Sequence, residues 1–131
     1  ALKRGDDEVL VGFKGGLLGH WSVWVKPAVN YLAHAHSAIA AGTIDMNLLQ
    51  LDSQITDANG ALFDVAHNFA GCISGCHEVL RRQGLMRGIW CLNPDEKLSP
   101  GQAAELDRVI NHYPHLCDDD FVTQNLELWL E

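Results

Sequence analysis

The most regular feature of the sequence is a spacing of three and four residues between apolar positions in most of the chain after Pro27. This spacing brings side chains to one face of an α-helix. The clearest run has apolar residues at Leu48, Leu51, Ile55, Ala58, Leu62, Val65 and Phe69. The whole pattern predicts five helices, at residues 27–41, 45–69, 72–83, 100–112 and 118–130.

Residues that begin and end helices support these boundaries. Pro27 is tolerated in a first helical turn, and Gly42 is typical of a helix end. Asp45 is a good N-terminal cap for the second helix, and Gly84 suits the end of the third. The segment 99–102 reads Ser-Pro-Gly-Gln, in which a capping serine precedes a glutamine by three residues, so we expect a helix to start there.

The N-terminal part of the chain has a different pattern. Residues 8–13 (EVLVGF) and 20–25 (HWSVWV) are rich in β-branched and aromatic residues, and several glycines separate them. Such runs favour short β-strands. The sequence therefore predicts a strand region over residues 1–26, followed by a helical region over residues 27–131, so the chain is mostly α.

Composition narrows the range of functions. Nine Lys and Arg oppose seventeen Asp and Glu, which gives a net charge of −8 at pH 7. Such a surface repels a phosphate backbone, so nucleic acid is not expected as a partner. No stretch approaches the ~18 apolar residues of a membrane span. We expect a soluble, cytoplasmic protein with reduced cysteines.

Few residues suggest chemistry of their own. Cys72 and Cys76 lie four apart, next to His77, and thiolate and imidazole are preferred zinc ligands. Packing is the favoured interpretation, because a structural zinc site needs four converging ligands and no CxxC pair is present. Lys14 could form a Schiff base if it were desolvated, although a surface lysine is the more ordinary reading. The sequence predicts no catalytic residue, no metal and no cofactor.

Several short segments resemble, in order, the tail of the dihydrodipicolinate synthase / N-acetylneuraminate lyase family of Schiff-base aldolases. Residues 19–23 (GHWSV), followed by Pro27 and a helix that ends at Gly42, are similar to the last barrel strand and the helix after it. Residues 61–63 (ALF), Asn68 and residues 80–85 (LRRQGL) form the most specific part of the match. Residues 98–100 (LSP) resemble the start of the final helix.

The resemblance implies a fold, a reaction and one binding residue. The fold would be the last strand or strands of a TIM (β/α)8 barrel, followed by a C-terminal helical region. The enzyme would be a class I lyase or aldolase that acts on a small 2-oxo acid such as pyruvate through a lysine imine, and it would be a homo-oligomer. The family's catalytic lysine and tyrosine lie on earlier strands, so they are expected outside this chain. Trp21 occupies the position that lines the substrate pocket.

A non-enzymatic function is the alternative hypothesis. The helix predicted over residues 45–69 carries an apolar seam with coiled-coil spacing, which could bind a partner or a second copy of the chain. The two hypotheses differ over residues 8–13 and 20–25, because a self-contained helical module has no evident use for strands. Pairing of those residues with other strands would favour the lyase.

Overall fold

The computed structural model describes residues 2–9, 11–12, 14–16 and 19–131. A β-hairpin comes first, with β1 at Leu2–Arg4 and β2 at Asp7–Val9. The two strands are antiparallel, and Lys3 pairs with Glu8. The five α-helices are α1 Val25–Ala41, α2 Met46–Leu62, α3 Cys72–Arg82, α4 Gln102–His112 and α5 Asp119–Leu130. Short 3-10 helices lie at Gly19–Ser22, Val65–His67 and Pro114–Leu116. The prediction of a mostly helical chain is confirmed.

The strand predicted over residues 20–25 is wrong. Gly19–Ser22 forms a 3-10 helix, and α1 has already begun at Val25. Of the first predicted strand, residues 8–13, only its beginning lies in β2, and Leu10 and Phe13 lie outside the described residues. Over the described ranges, the hairpin is the only sheet, so no barrel strand is seen there.

Burial of two side chains explains why the second run is not extended. Val23 is 1% exposed and Trp24 is 2% exposed, and both belong to the main hydrophobic core. Trp24 takes a left-handed backbone conformation with φ 52°, which costs about 1–2 kcal/mol for an L-residue. Its indole Nε1 is also buried without a hydrogen-bond partner among the described residues. Burying these large side chains offsets local strand propensity.

The second helix ends earlier than predicted. It stops at Leu62, and Asp64 then adopts a left-handed conformation with φ 57°. The apolar spacing continues through Val65 and Phe69, but these side chains are 50% and 57% exposed. The prediction of a helix to residue 69 was wrong because the periodicity runs on after the backbone has turned.

The core lies mainly between α2 and α4. Ala58 and Leu62 of α2 pack into one buried cluster with Leu106 and Val109 of α4. The apolar seam of α2 therefore faces its own chain. The helix α1 is attached differently, because Pro27 and Ala28 near its start are its buried residues. Much of the rest of α1 is exposed.

A membrane-spanning segment would need a helix that is both long and apolar. None of the helices in the described part of the chain meets both conditions.

Candidate functional site

Trp21, the substrate-binding residue implied by the resemblance, lies beside a cleft of about 290 Å³. It belongs to the 3-10 helix Gly19–Ser22 and is half-buried. The other described residues that line the cleft come from the N-terminal segment, α1 and α2, and they are Gly15, Gly16, His20, Ala28, Tyr31, Leu32, Ile55 and Asn59. The structure thus places Trp21 at a concave site, although not on a strand.

A hydrogen bond between the N-terminal segment and α2 fixes one end of the cleft. His20 Nδ1 lies 2.7 Å from Asn59 Oδ1. An amide oxygen only accepts hydrogen bonds, so Nδ1 carries the hydrogen. The His20 ring is 7% exposed and lies 5.9 Å from the Trp24 ring, centroid to centroid. These contacts hold the 3-10 helix, and with it Trp21, against α2.

The chemistry that the cleft itself can perform is limited. The Tyr31 hydroxyl donates to the backbone oxygen of His115 at 2.8 Å. The described lining residues include no Lys, Arg, Asp or Glu, so they offer no carboxylate pair and no amine. Lys14, which the sequence analysis considered for a Schiff base, is exposed. The described lining suits binding of an apolar group and offers no amine, thiol or carboxylate as a nucleophile.

The four cysteines are free thiols with raised pKa values. Burial is the largest cause of the raised pKa of Cys76, and it also raises the pKa of Cys117, to about 12. Burial, followed by the negative charges of Asp64 and Glu96, raises the pKa of Cys72. Burial, followed by the negative charge of Glu96, raises the pKa of Cys91. A thiolate is the nucleophilic form, so these sites disfavour nucleophilic catalysis at neutral pH.

Cys72, Cys76 and His77, which were considered as zinc ligands from the sequence, do not converge on one point. The Cys76 sulfur accepts the hydroxyl of Ser22 at 3.4 Å, whereas His77 Nδ1 lies 3.8 Å from the sulfur of Cys91. Over the described ranges, no group of three His, Cys, Asp or Glu side chains has the arrangement of a metal site. Cys76 instead packs against the hydrophobic core.

A buried carboxylate at Asp64 was missed by the sequence reading. Its Oδ2 accepts from the backbone N–H of Gly71 at 2.8 Å and from the hydroxyl of Ser99 at 2.5 Å. Its Oδ1 lies 2.7 Å from His67 Nδ1. Burial raises the pKa of Asp64, but the hydrogen bonds from Ser99, His67 and Gly71 outweigh it, so the pKa lies below its usual value. Asp64 thus ties together three segments of the chain.

The Ser99, Asp64 and His67 side chains do not form a catalytic triad. The serine hydroxyl bonds the carboxylate, whereas a nucleophilic serine needs an imidazole as its proton acceptor. His67 lines a groove of about 730 Å³ between α2 and α4. Arg108, in the same groove, is held by both oxygens of Asp57 at 2.8 Å and by Glu105. The hydrogen bonds of Asp64 and Arg108 therefore connect parts of the fold and do not form a catalytic site.

Comparison with known proteins gives no relative. No protein-family model, no curated protein and no solved structure matches the chain.

Proposed function

We propose that this chain is the C-terminal portion of a Schiff-base lyase or aldolase that acts on a 2-oxo acid such as pyruvate. The lysine that forms the imine lies outside this chain. The helices pack against the rest of the enzyme, and Trp21 forms part of the substrate pocket. The proposed enzyme is a homo-oligomer.

The observation that carries the proposal is that the residues behind the family resemblance occupy structurally demanding positions. Leu62 is fully buried in the core, and Ser99 donates to the buried carboxylate of Asp64. Asn68 and Gly84 take left-handed backbone conformations, with φ 54° and 80°. Few residue types tolerate that conformation. The matched residues thus occupy positions where substitution is costly, which supports the resemblance of residues 61–100. Residues 20–25, which form no strand, do not support it.

The chemistry of the described residues supports a division of roles. The carboxylates with the strongest partners serve as structural links, since Asp57 binds Arg108 and Glu78 binds both Arg81 and Arg82. The thiols are disfavoured as nucleophiles, and the Trp21 cleft offers no amine. A binding wall without its own reactive group is what the proposal requires of this part of the enzyme.

The surface supports packing against further polypeptide. Large apolar side chains are exposed along α1, in the turn that follows it and at the start of α2. They are Val25, Val29, Ile39, Ile44, Met46 and Leu49, each between 43% and 76% exposed. Val25, Val29 and Ile39 share one face of α1 by helical spacing, and an exposed apolar face can mark an interaction site. In the proposed enzyme, the remainder of the protein or a neighbouring subunit covers this surface.

The same exposed surface favours the second candidate, a non-enzymatic helical interaction or oligomerisation module. The apolar seam of α2 was expected to bind a partner or a second copy in such a module. It does not have a free face for this at Ala58 and Leu62, which already pack against α4. The exposed residues of α1 would form the interface instead.

The intact mass of the native gene product distinguishes the two candidates. A TIM barrel takes roughly 250 residues, so the lyase requires a mass well above the 14.4 kDa of this chain. A native product near 14.4 kDa would contradict the lyase and leave the helical module.

A further inference from the structure

We infer that His20 and Asn59 are positioning residues for Trp21, which they hold in place at the substrate pocket of the proposed lyase. This inference rests on the proposed function, which places Trp21 in that pocket. The hydrogen bond between His20 and Asn59 acts on Trp21 through the backbone of the 3-10 helix Gly19–Ser22. Asn59 lies outside the segments on which the family resemblance rests, so its role is inferred from the structure alone.

The segment that carries Trp21 is too short to fix its own position. The 3-10 helix Gly19–Ser22 has four residues. Short 3-10 helices have poorer hydrogen-bond geometry than α-helices. Within this turn, the Ser22 hydroxyl donates to the backbone oxygen of Gly19 at 2.5 Å. The position of Trp21 therefore depends on contacts that its neighbours make with other elements.

The hydrogen bond of His20 joins this turn to α2. Its Nδ1–H donates to Asn59 Oδ1 at 2.7 Å, and His20 is 7% exposed. Asn59 follows Ala58, which is 1% exposed in the core, so the acceptor lies on a rigid element. A buried donor that loses its acceptor costs about 1–3 kcal/mol. Without this acceptor, the His20 ring would turn towards water, and Trp21, the next residue, would move with it.

Two further contacts hold the ends of the turn. A Cβ added at Gly19 would lie 2.9 Å from Cζ of Phe63, so the Phe63 ring packs directly against the backbone of Gly19. At the other end, the Ser22 hydroxyl donates to the sulfur of Cys76 on α3 at 3.4 Å. The turn is thus held at its first, second and fourth residues. Trp21 is the third, and its side chain lines the cleft.

The first readout follows the Trp21 ring in the protein without substrate. Asn59→Leu removes the acceptor, whereas Asn59→Asp keeps one. The native gene product and both variants are labelled with fluorotryptophan, and Trp21→Phe assigns the fluorine NMR signal of Trp21. Asn59→Leu should shift or broaden the Trp21 signal and leave that of Trp90, which is 68% exposed, in place. Asn59→Asp should keep the Trp21 signal close to its native position. A general loss of stability would not move the Trp21 signal selectively.

The second readout is borohydride trapping at increasing pyruvate concentration. Asn59→Leu should raise the concentration for half-maximal trapping by about tenfold, because a misplaced pocket wall weakens binding. The yield at saturating pyruvate should change far less, since the lysine that forms the imine lies elsewhere. Asn47→Leu is the matched control, because Asn47 is an exposed amide on the same helix and lies outside the cleft lining. It should behave like the native protein in both readouts.

The two readouts separate this inference from the proposed function. If the native protein forms no adduct with pyruvate, the proposed lyase is overturned, and the role of Asn59 at its substrate pocket falls with it. If the adduct forms, but Asn59→Leu leaves the Trp21 signal or the half-maximal concentration unchanged, this inference alone is overturned. If circular dichroism shows that Asn59→Leu is unfolded, His20→Phe is measured in its place. It keeps a ring but removes the donor, so the same results are expected.

Discussion

Ser99 donates its hydroxyl to Oδ2 of Asp64 at 2.5 Å, which joins the segment before α4 to the turn after α2. The carboxylate is 3% exposed, so this hydrogen bond and those from His67 and Gly71 replace its hydration. We expect this connection to stabilise the α2–α4 packing that forms the core.

Asp64→Asn tests the value of the buried charge. Both residues tolerate the left-handed backbone at this position, so the substitution mainly removes the charge and one acceptor. We expect a loss of about 2 kcal/mol in the free energy of unfolding at pH 7, measured by urea denaturation. Asp52→Asn, at an exposed site on α2, should change it by less than about 0.5 kcal/mol. Equal effects at the two sites would contradict the role of Asp64.

The lowered pKa of Glu78 predicts how the free energy of unfolding depends on pH. Two hydrogen bonds from Arg81, which outweigh the effect of burial, and one from Arg82 lower the pKa of Glu78 from 4.5 to about 2. A folded-state pKa below the unfolded value adds stability that is complete above pH 4.5 and is lost as the pH falls towards 2. The charge therefore stabilises the fold at neutral pH.

Glu78→Gln should remove that contribution. The expected loss at pH 7 is about 2 kcal/mol, because hydrogen bonds to a charged group are lost. The difference between the variant and the native protein should shrink as the pH is lowered from 5 towards 2. Urea denaturation at several pH values measures it, and a difference that is independent of pH would sink this explanation.

Two glycines provide a matched test of the packing of α3 on α2. A Cβ at Gly75 would lie 2.1 Å from the backbone oxygen of Leu62 and 2.6 Å from Gln102 Nε2. Gly75→Ala would therefore force the helices apart, and we expect a loss of about 3 kcal/mol. At Gly60 in α2 no atom lies within 4 Å of an added Cβ, so Gly60→Ala should stabilise the chain by about 1 kcal/mol. Thermal denaturation of both variants gives the sign of each effect.

Local signals in the sequence were sufficient to predict several helix ends. Asp45 was predicted to cap α2, and its Oδ1 accepts from the backbone N–H of Leu48 at 2.9 Å. Gly42 and Gly84 both adopt the left-handed conformation that ends a helix. Such signals are readable because the interacting groups lie within four residues of each other.

Long-range partners could not be read in the same way. The capping pair at the start of α4 was half correct, since Gln102 Oε1 accepts from the backbone N–H of Ser99 at 3.1 Å. The Ser99 hydroxyl, however, bonds Asp64, thirty-five residues earlier. The prediction of a strand over residues 20–25 failed for a related reason, because burial of Trp24 depends on tertiary packing. The Asp64 network likewise has no local sequence signature.

Borohydride trapping of the native gene product with pyruvate, followed by peptide mapping, tests the proposed lyase most directly. The account predicts a stable pyruvate adduct on a single lysine outside this chain, because the reduced imine is covalent. The lysines within the chain, Lys3, Lys14, Lys26 and Lys97, should be unmodified. Absence of an adduct, or an adduct on one of these four lysines, would contradict it.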